Sequence, residues 1–176
     1  MTTTLRTPRL WLRDWREDDL APFAALNADP TVMRHFPAVL TREESDAGAE
    51  RIRALIRENG YGLWAAEFEG RFVGFIGVNR PRFTAHFTPC VELGWRLARE
   101  AQGRGLATEG AREVLRWARE NLRGEPLVAF TVPMNVPSRR VMEKLGLVFD
   151  GEFDHPGLAE GHPLRRHVLY RAPPMG

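Results

Sequence analysis

The chain has 176 residues, 43% of them hydrophobic and 27% charged, which suits one globular domain with a core and argues against wholesale disorder. Its formal net charge is only +2, with 25 Lys and Arg residues dispersed among 23 Asp and Glu. No apolar run approaches the ~20 residues of a membrane span, and the single cysteine, Cys90, cannot make an internal disulfide. The segment Met1-Thr2-Thr3-Thr4-Leu5-Arg6 lacks the charged-then-apolar layout of a secretory signal, so a reducing, cytoplasmic setting without a membrane partner is expected. Every cationic side chain except Lys144 is an arginine. Guanidinium groups pair well with phosphate. Here, however, Glu113–Arg116 and Arg116–Glu120 stand at the i,i+3 and i,i+4 spacings of a solvated helix face, and no nucleic-acid partner is expected.

In chain order, Leu10, Leu12 and Trp15 alternate with arginines and predict a half-buried strand within Leu5–Trp15. Asp18-Asp19 place negative charge in the first turn of a helix carrying Leu20, Phe23 and Leu26, which Asp29-Pro30 ends. Thr41-Arg42-Glu43-Glu44 reads as a capping box that opens a second helix, with Ile52, Leu55 and Ile56 as its stripe and Asn59-Gly60 as its stop. Strands Tyr61–Phe68 and Phe72–Asn79, joined by Glu69-Gly70, form a hairpin, and Val91–Leu97 is a further strand. Ala107, Ala111, Val114, Leu115, Ala118 and Leu122 recur with the period of a long amphipathic helix. Leu127–Val132 is a buried strand. A short helix from Pro137 ends at Gly146, and Val148–Phe153 and His167–Arg171 close the pattern. The order β-α-α-β-β-β-α-β-α-β-β describes a mixed sheet with helices on its faces, in one domain spanning residues 1–176.

The chemistry is expected between the strand ending near Leu97 and the helix beginning near Leu106. A glycine-rich strand-to-helix turn, Gln102-Gly103-Arg104-Gly105, lets backbone N–H groups converge on an anion, and the helix N-terminus adds partial positive charge. Glycine admits positive φ and close approach of a phosphate, and Arg104 adds a full charge. An ordinary tight turn is the plainer reading of Gly-x-Gly alone; neither a dinucleotide fingerprint nor a P-loop is present.

The wider context names a family. Gln102-Gly103-Arg104-Gly105-Leu106-Ala107 resembles the Arg/Gln-x-x-Gly-x-Gly/Ala signature of the GNAT acetyltransferases. Val91-Glu92-Leu93-Gly94-Trp95-Arg96-Leu97 resembles their cofactor-binding strand. Asn135-Val136-Pro137-Ser138 with Glu143-Lys144-Leu145-Gly146, Thr7-Pro8-Arg9-Leu10 and Asn27-Ala28-Asp29-Pro30 are similar to elements of the RimJ/RimL-like branch. The likeness spans nearly the whole chain. It implies an α/β (α+β) fold: a GNAT-like mixed, mostly antiparallel, twisted sheet of about seven strands, with flanking helices and a splayed central strand pair. It also implies an acetyl-CoA-dependent N-acetyltransferase with no metal, acting on a peptide N-terminus or a small amine. A non-catalytic acyl-CoA-sensing or protein-interaction module on the same fold is the alternative.

Carried over residue by residue, the resemblance implies that acetyl-CoA lies between Val91–Leu97 and Leu127–Val132. Its pantetheine would bond to the backbone near Leu97, and its pyrophosphate to the amides of Gln102, Gly103, Arg104, Gly105, Leu106 and Ala107. Asn135 would reach the cofactor's amide arm, or act purely as a helix cap ahead of Pro137. Ser138, with Arg139 nearby, would lie close to the thiol or the nucleotide end.

Amine acetylation needs a base for the ammonium, donors for the oxyanion and an acid for the thiolate. Glu92 is the first candidate base, against the reading of a strand-end carboxylate paired with an arginine; Glu67 is the second. The resemblance implies a tyrosine near this region as the acid; none occurs between Tyr61 and Tyr170, and Ser138 is the candidate in its place. His155, His162 and His167 show no rigid metal-ligand spacing, and the loop Asp154–Leu164 reads as a rim over the acceptor. Cys90 reads as a small buried residue. Trp64, Phe75, Trp95 and Phe130 are expected in the core, while Trp11, Trp15, Phe36 and Phe83 are candidates for the acceptor pocket. Relatives commonly dimerise, and the sequence leaves monomer and homodimer both open.

Overall fold

A computed structural model describes residues 2–174. One eight-stranded sheet runs in the order β1-β2-β3-β4-β5-β6-β8-β7, with strands at Leu5–Arg6, Leu10–Arg13, Leu63–Phe68, Arg71–Asn79, Val91–Leu97, Leu127–Thr131, Val148–Asp154 and Arg166–Arg171 for β1 to β8. Four helices flank it: α1 at Leu20–Ala28, α2 at Arg42–Asn59, α3 at Leu106–Asn121 and α4 at Val136–Lys144. All neighbouring strands are antiparallel except β5 and β6. The mixed, mostly antiparallel sheet expected from the sequence is present, with one more strand than the expected seven.

The extra strand comes from the first segment, which is two short strands rather than one. Thr7-Pro8-Arg9 turns the chain, with the Thr7 amide donating to the Leu10 carbonyl at 3.0 Å, and β1 folds back on β2 with Leu5 opposite Leu12. Asp18-Asp19 also differ from expectation. They lie in a 3-10 turn, Glu17–Asp19, ahead of α1. Asp19 is turned inward, where its carboxylate accepts 2.7 Å and 2.9 Å bonds from the Arg13 guanidinium. Both residues are buried, and Glu67 accepts the Arg13 Nε at 2.7 Å, so the guanidinium is matched by two carboxylates.

The signals at both ends of α2 act as read. Thr41 and Glu44 form the reciprocal capping box on α2, and Gly60 ends that helix at φ 78°. On one sheet face, Val114, Leu115 and Ala118 of α3 and Met142 of α4 pack on Leu10, Leu12, Trp64, Ile76 and Leu93. On the other face, α1 and α2 cover Ala65 and Phe75. Farther along that face, the β4–β5 connection brings Phe87 and Cys90 onto Val128, Phe153 and Leu169. Each large apolar side chain so buried contributes about 1.5–3 kcal/mol. Two separate clusters on one face leave a cleft between them, and β5 forms its floor.

Candidate functional site

The floor opens because β5 and β6 share only two rungs, Val91 opposite Leu127 and Glu92 opposite Val128. Beyond Glu92 the β6-facing edge of β5 has no strand partner. The N-terminus of α4 stands across the gap, and Trp95 Nε1 of β5 donates to Ser138 Oγ of α4 at 3.3 Å. The splayed central pair expected from the sequence is therefore present.

At the end of β5 the chain makes one 3-10 turn, Arg99–Ala101, and enters the glycine loop. Gln102 Nε2 donates to the Leu97 carbonyl at 2.9 Å, tying the loop back to the strand. Gly103 and Gly105 hold φ of 70° and 77°, a region costly to residues with a Cβ, and a Cβ at Gly103 would meet nothing within 4 Å. Among the described residues, no protein acceptor meets the backbone N–H groups from Gly103 to Thr108. Such a run of free donors at a helix start has the geometry to cradle an anion.

The loop is braced from β1–β2. Arg9 Nη1 donates to the Arg104 carbonyl at 3.0 Å, and Glu109 accepts from Thr7 Oγ1, Arg9 N and Arg9 Nε at 2.6, 2.9 and 2.7 Å. Burial alone would raise the Glu109 carboxyl, but these bonds hold it below the ordinary carboxylate range. A cavity of about 520 Å³, lined in part by Thr7, Arg9, Gly105, Arg112 and Lys144, opens beside this brace. The Arg104 guanidinium rests 4.6 Å over the Phe68 ring, while its main chain belongs to the cradle.

Glu92 sits on the cleft floor beside Asn79, its cross-strand partner. Burial pushes its carboxyl up to about 7, and a hydrogen bond from Asn79 opposes the shift. No arginine lies within salt-bridge distance of it among the described residues, so the reading of a strand-end ion pair does not describe this carboxyl. Glu67 is engaged instead, bonded to Arg13 and Arg16 at 2.7 and 3.2 Å on β3, two strands from the split. Asn135 caps α4: its Oδ1 accepts from the Ser138 amide at 3.4 Å and its Nδ2 donates to Thr131 Oγ1 at 2.9 Å. Tyr170 brings its hydroxyl beneath the same helix, where it accepts from Arg139 Nε at 3.4 Å and donates to Glu143 at 3.3 Å.

The far wall is aromatic. Phe83, Phe130, Phe153, His155 and His167 pack together, with the two imidazole centroids 5.1 Å apart. Burial lowers the pKa of both histidines, so they favour the neutral form. Phe83 thus lies in this wall. Trp15 is buried under α1, Trp11 is stacked by Arg6 at 4.0 Å, and Phe36 covers Arg96 at 4.3 Å. Cys90 is buried, and burial raises its thiol to about 11, far from a thiolate nucleophile at neutral pH. Arg96 and Asn79, not among the expected site residues, both line the floor. Asn79 faces Glu92 in the register, whereas the setting of Arg96 depends on α1.

The sequence pattern of the Acetyltransferase (GNAT) domain matches residues 9–148. FsC-acetyl coenzyme A-N(2)-transacetylase of Aspergillus fumigatus is 32% identical over 171 residues, covering 90% of this chain and 73% of that protein. An acetyltransferase structure from Agrobacterium tumefaciens superposes with a TM-score of 0.79 at 27% identity, covering 99% of this chain and 96% of that one. Mycobacterium smegmatis RimJ, solved with CoA-disulfide, shares the fold with a TM-score of 0.74 at 21% identity, covering 97% and 85%. The matched span contains the split, the cradle and the floor of the cleft: the chain belongs to the GNAT acetyltransferase family, and it is an enzyme that transfers acetyl from acetyl-CoA to an amine.

Proposed function

We propose that the protein acetylates a primary amine, a peptide N-terminus or a small molecule, by direct attack on the thioester, with Glu92 as general base and Ser138 as general acid. The observation that carries this reading is the free-amide cradle at Gly103–Thr108, opening onto the same split whose floor holds Glu92. Acetyl-CoA supplies an activated acyl group and a thiol leaving group.

The chain supplies the rest. Backbone amides from Gly103 to Ala107 bind the pyrophosphate, whereas the Gln102 amide, expected among them, is taken by the Arg99 carbonyl at 3.1 Å. The unpaired edge of β5 up to Leu97 aligns the pantetheine as an added strand. Glu92 takes the ammonium proton as the amine approaches from the α1–α2 side. A base with a pKa near the working pH combines enough ionised form with enough basicity. Asn135 fixes the first turn of α4 and so sets the Ser138 hydroxyl, which delivers a proton to the departing sulfur. The Trp95 indole, donating to Ser138 Oγ, leaves that hydroxyl's own proton free to point into the split.

The test combines thiol release from acetyl-CoA over a panel of amines with thermal shift by acetyl-CoA. Wild type is expected to show both. Gly105→Glu, which sets a negative side chain in the cradle at a positive φ, is expected to remain folded and lose the shift. Unchanged acetyl-CoA affinity in Gly105→Glu defeats the placement of the pyrophosphate.

A further inference from the structure

Arg96 is a desolvated cation without a counterion. It projects from β5 on the same face as Glu92 and Gly94, since side chains two apart share a face. Its Nη1 donates to Asn27 Oδ1 at 2.7 Å, and its guanidinium lies 4.3 Å from the Phe36 ring centroid and 5.4 Å from that of Phe75. Its Nε is buried and meets no acceptor. No carboxylate stands within 4.0 Å of it among the described residues, in contrast to Arg13 with its two. Burial alone lowers its pKa to about 10.

A structural role accounts for part of this. Arg96–Asn27–Ser45 links β5, α1 and α2, because Asn27 Nδ2 donates to Ser45 Oγ at 2.9 Å. A neutral donor would serve that link, and a buried unpaired charge is costly. The floor beside Arg96 is also bare. A Cβ at Gly94 would meet only Leu63 Cδ2, at 3.5 Å, so no side chain of β5 stands between Glu92 and Arg96 on that face. Four strand residues separate their Cα atoms by about 13 Å. Phe36, 40% exposed, forms an apolar rim above the guanidinium.

We propose that Arg96 is the anion receptor of the acceptor site: the amine substrate carries a carboxylate several bonds from its nitrogen, which pairs with Arg96 while the amine meets Glu92. The proposal rests on the amine-acetylation reading above. A guanidinium has five N–H donors; the protein takes one at Nη1 and closes off Nε, which leaves the Nη1/Nη2 end to meet a carboxylate. The spacing favours an ω-amino acid or a peptide N-terminus with an acidic side chain over a simple α-amino acid.

The experiment measures thiol release by wild type, R96Q and R96K with matched probes: 6-aminohexanoate against 6-aminohexanamide, and Ala-Glu against Ala-Gln amide. Wild type is expected to show a KM for the acids lower than for the amides by about tenfold or more. R96Q should erase that preference while acetyl-CoA affinity holds, and R96K should restore part of it. Preference confined to the ω-amino acid identifies a free small acceptor, and preference confined to the dipeptide a peptide N-terminus; both support the proposal. Equal KM for acids and amides in wild type, or equal loss for both in R96Q, overturns it. Binding of N-acetyl-6-aminohexanoate and its amide to the CoA-bound enzyme, read by tryptophan fluorescence, separates the two readings. If no amine is turned over, the catalytic reading fails, and acid-over-amide binding that depends on Arg96 still decides the receptor. If R96Q does not fold, the wild-type comparison and R96K decide.

Discussion

Burial raises the Glu92 carboxyl to about 7, and the hydrogen bond from Asn79 only partly opposes it. In the mechanism proposed above the ionised form is the base, so kcat/KM is expected to rise with pH through about 7, and Glu92→Gln to flatten that limb while lowering kcat about 10²-fold or more. A wild-type pH profile in the variant removes Glu92 from the mechanism. The same shift bears on stability. A carboxyl whose folded pKa exceeds its unfolded value contributes stability that is present below the unfolded pKa, near 4.5, and is lost as pH rises through the folded value near 7. Glu92→Gln should therefore gain on wild type in melting temperature at pH 8 relative to pH 4, by on the order of a few degrees. Arg13 is the opposite case, a buried cation with both partners supplied by the protein. Arg13→Met removes the buried guanidinium between Asp19 and Glu67 and leaves them only the Arg16 amide and the exposed Arg16 side chain, and a loss of about 3–5 kcal/mol in denaturant unfolding is expected.

Local rules suffice for some elements. The α2 capping box is written in four consecutive residues, and Thr41→Ala should cost about 1 kcal/mol, measured by urea unfolding. The α3 stripe and the glycine loop were legible for the same reason, since a helix period and two left-handed glycines are local constraints. The division of Leu5–Trp15 was not. Alternation continues through Leu10 and Leu12, and the turn that interrupts it is held by Glu109, a hundred residues away. Asp19 likewise carries the signature of a helix first turn, and only the tertiary position of Arg13 turns it inward. At the proposed site, the sequence offered Glu92 and Ser138 only as residue types on a strand and a helix. Their settings arise from strand register and from α4 crossing the split, which pairwise spacing cannot show. The absence of an acid beside Arg96 depends on everything packed around it, so no motif could have carried it.

The two halves of the sheet are joined across its centre by only two β5–β6 rungs, with α3 and α4 packed over the junction. A ligand bound in that gap binds only the folded state, so acetyl-CoA at about 100 times its Kd should add about 2.7 kcal/mol, or about 5–10 °C in Tm. Hydrogen exchange offers a spatial check: amides of β5 beyond Glu92 and those from Gly103 to Thr108 should slow when acetyl-CoA binds, while β2 and β3 stay unchanged.

The cradle's contacts come from the main chain, and main-chain amides are common to nearly every amino acid. Few point substitutions can delete them: a proline, or a bulky or acidic residue where φ is positive. The opposite side of the cleft is built of individual side chains, Arg96, Phe36, Phe83 and His155 among them, each replaceable by one codon change. Mutational tolerance is thus divided by chemistry. On the reading proposed above, descendants of this protein can exchange one acceptor for another by ordinary drift at the side-chain wall while their use of acetyl-CoA is inherited intact.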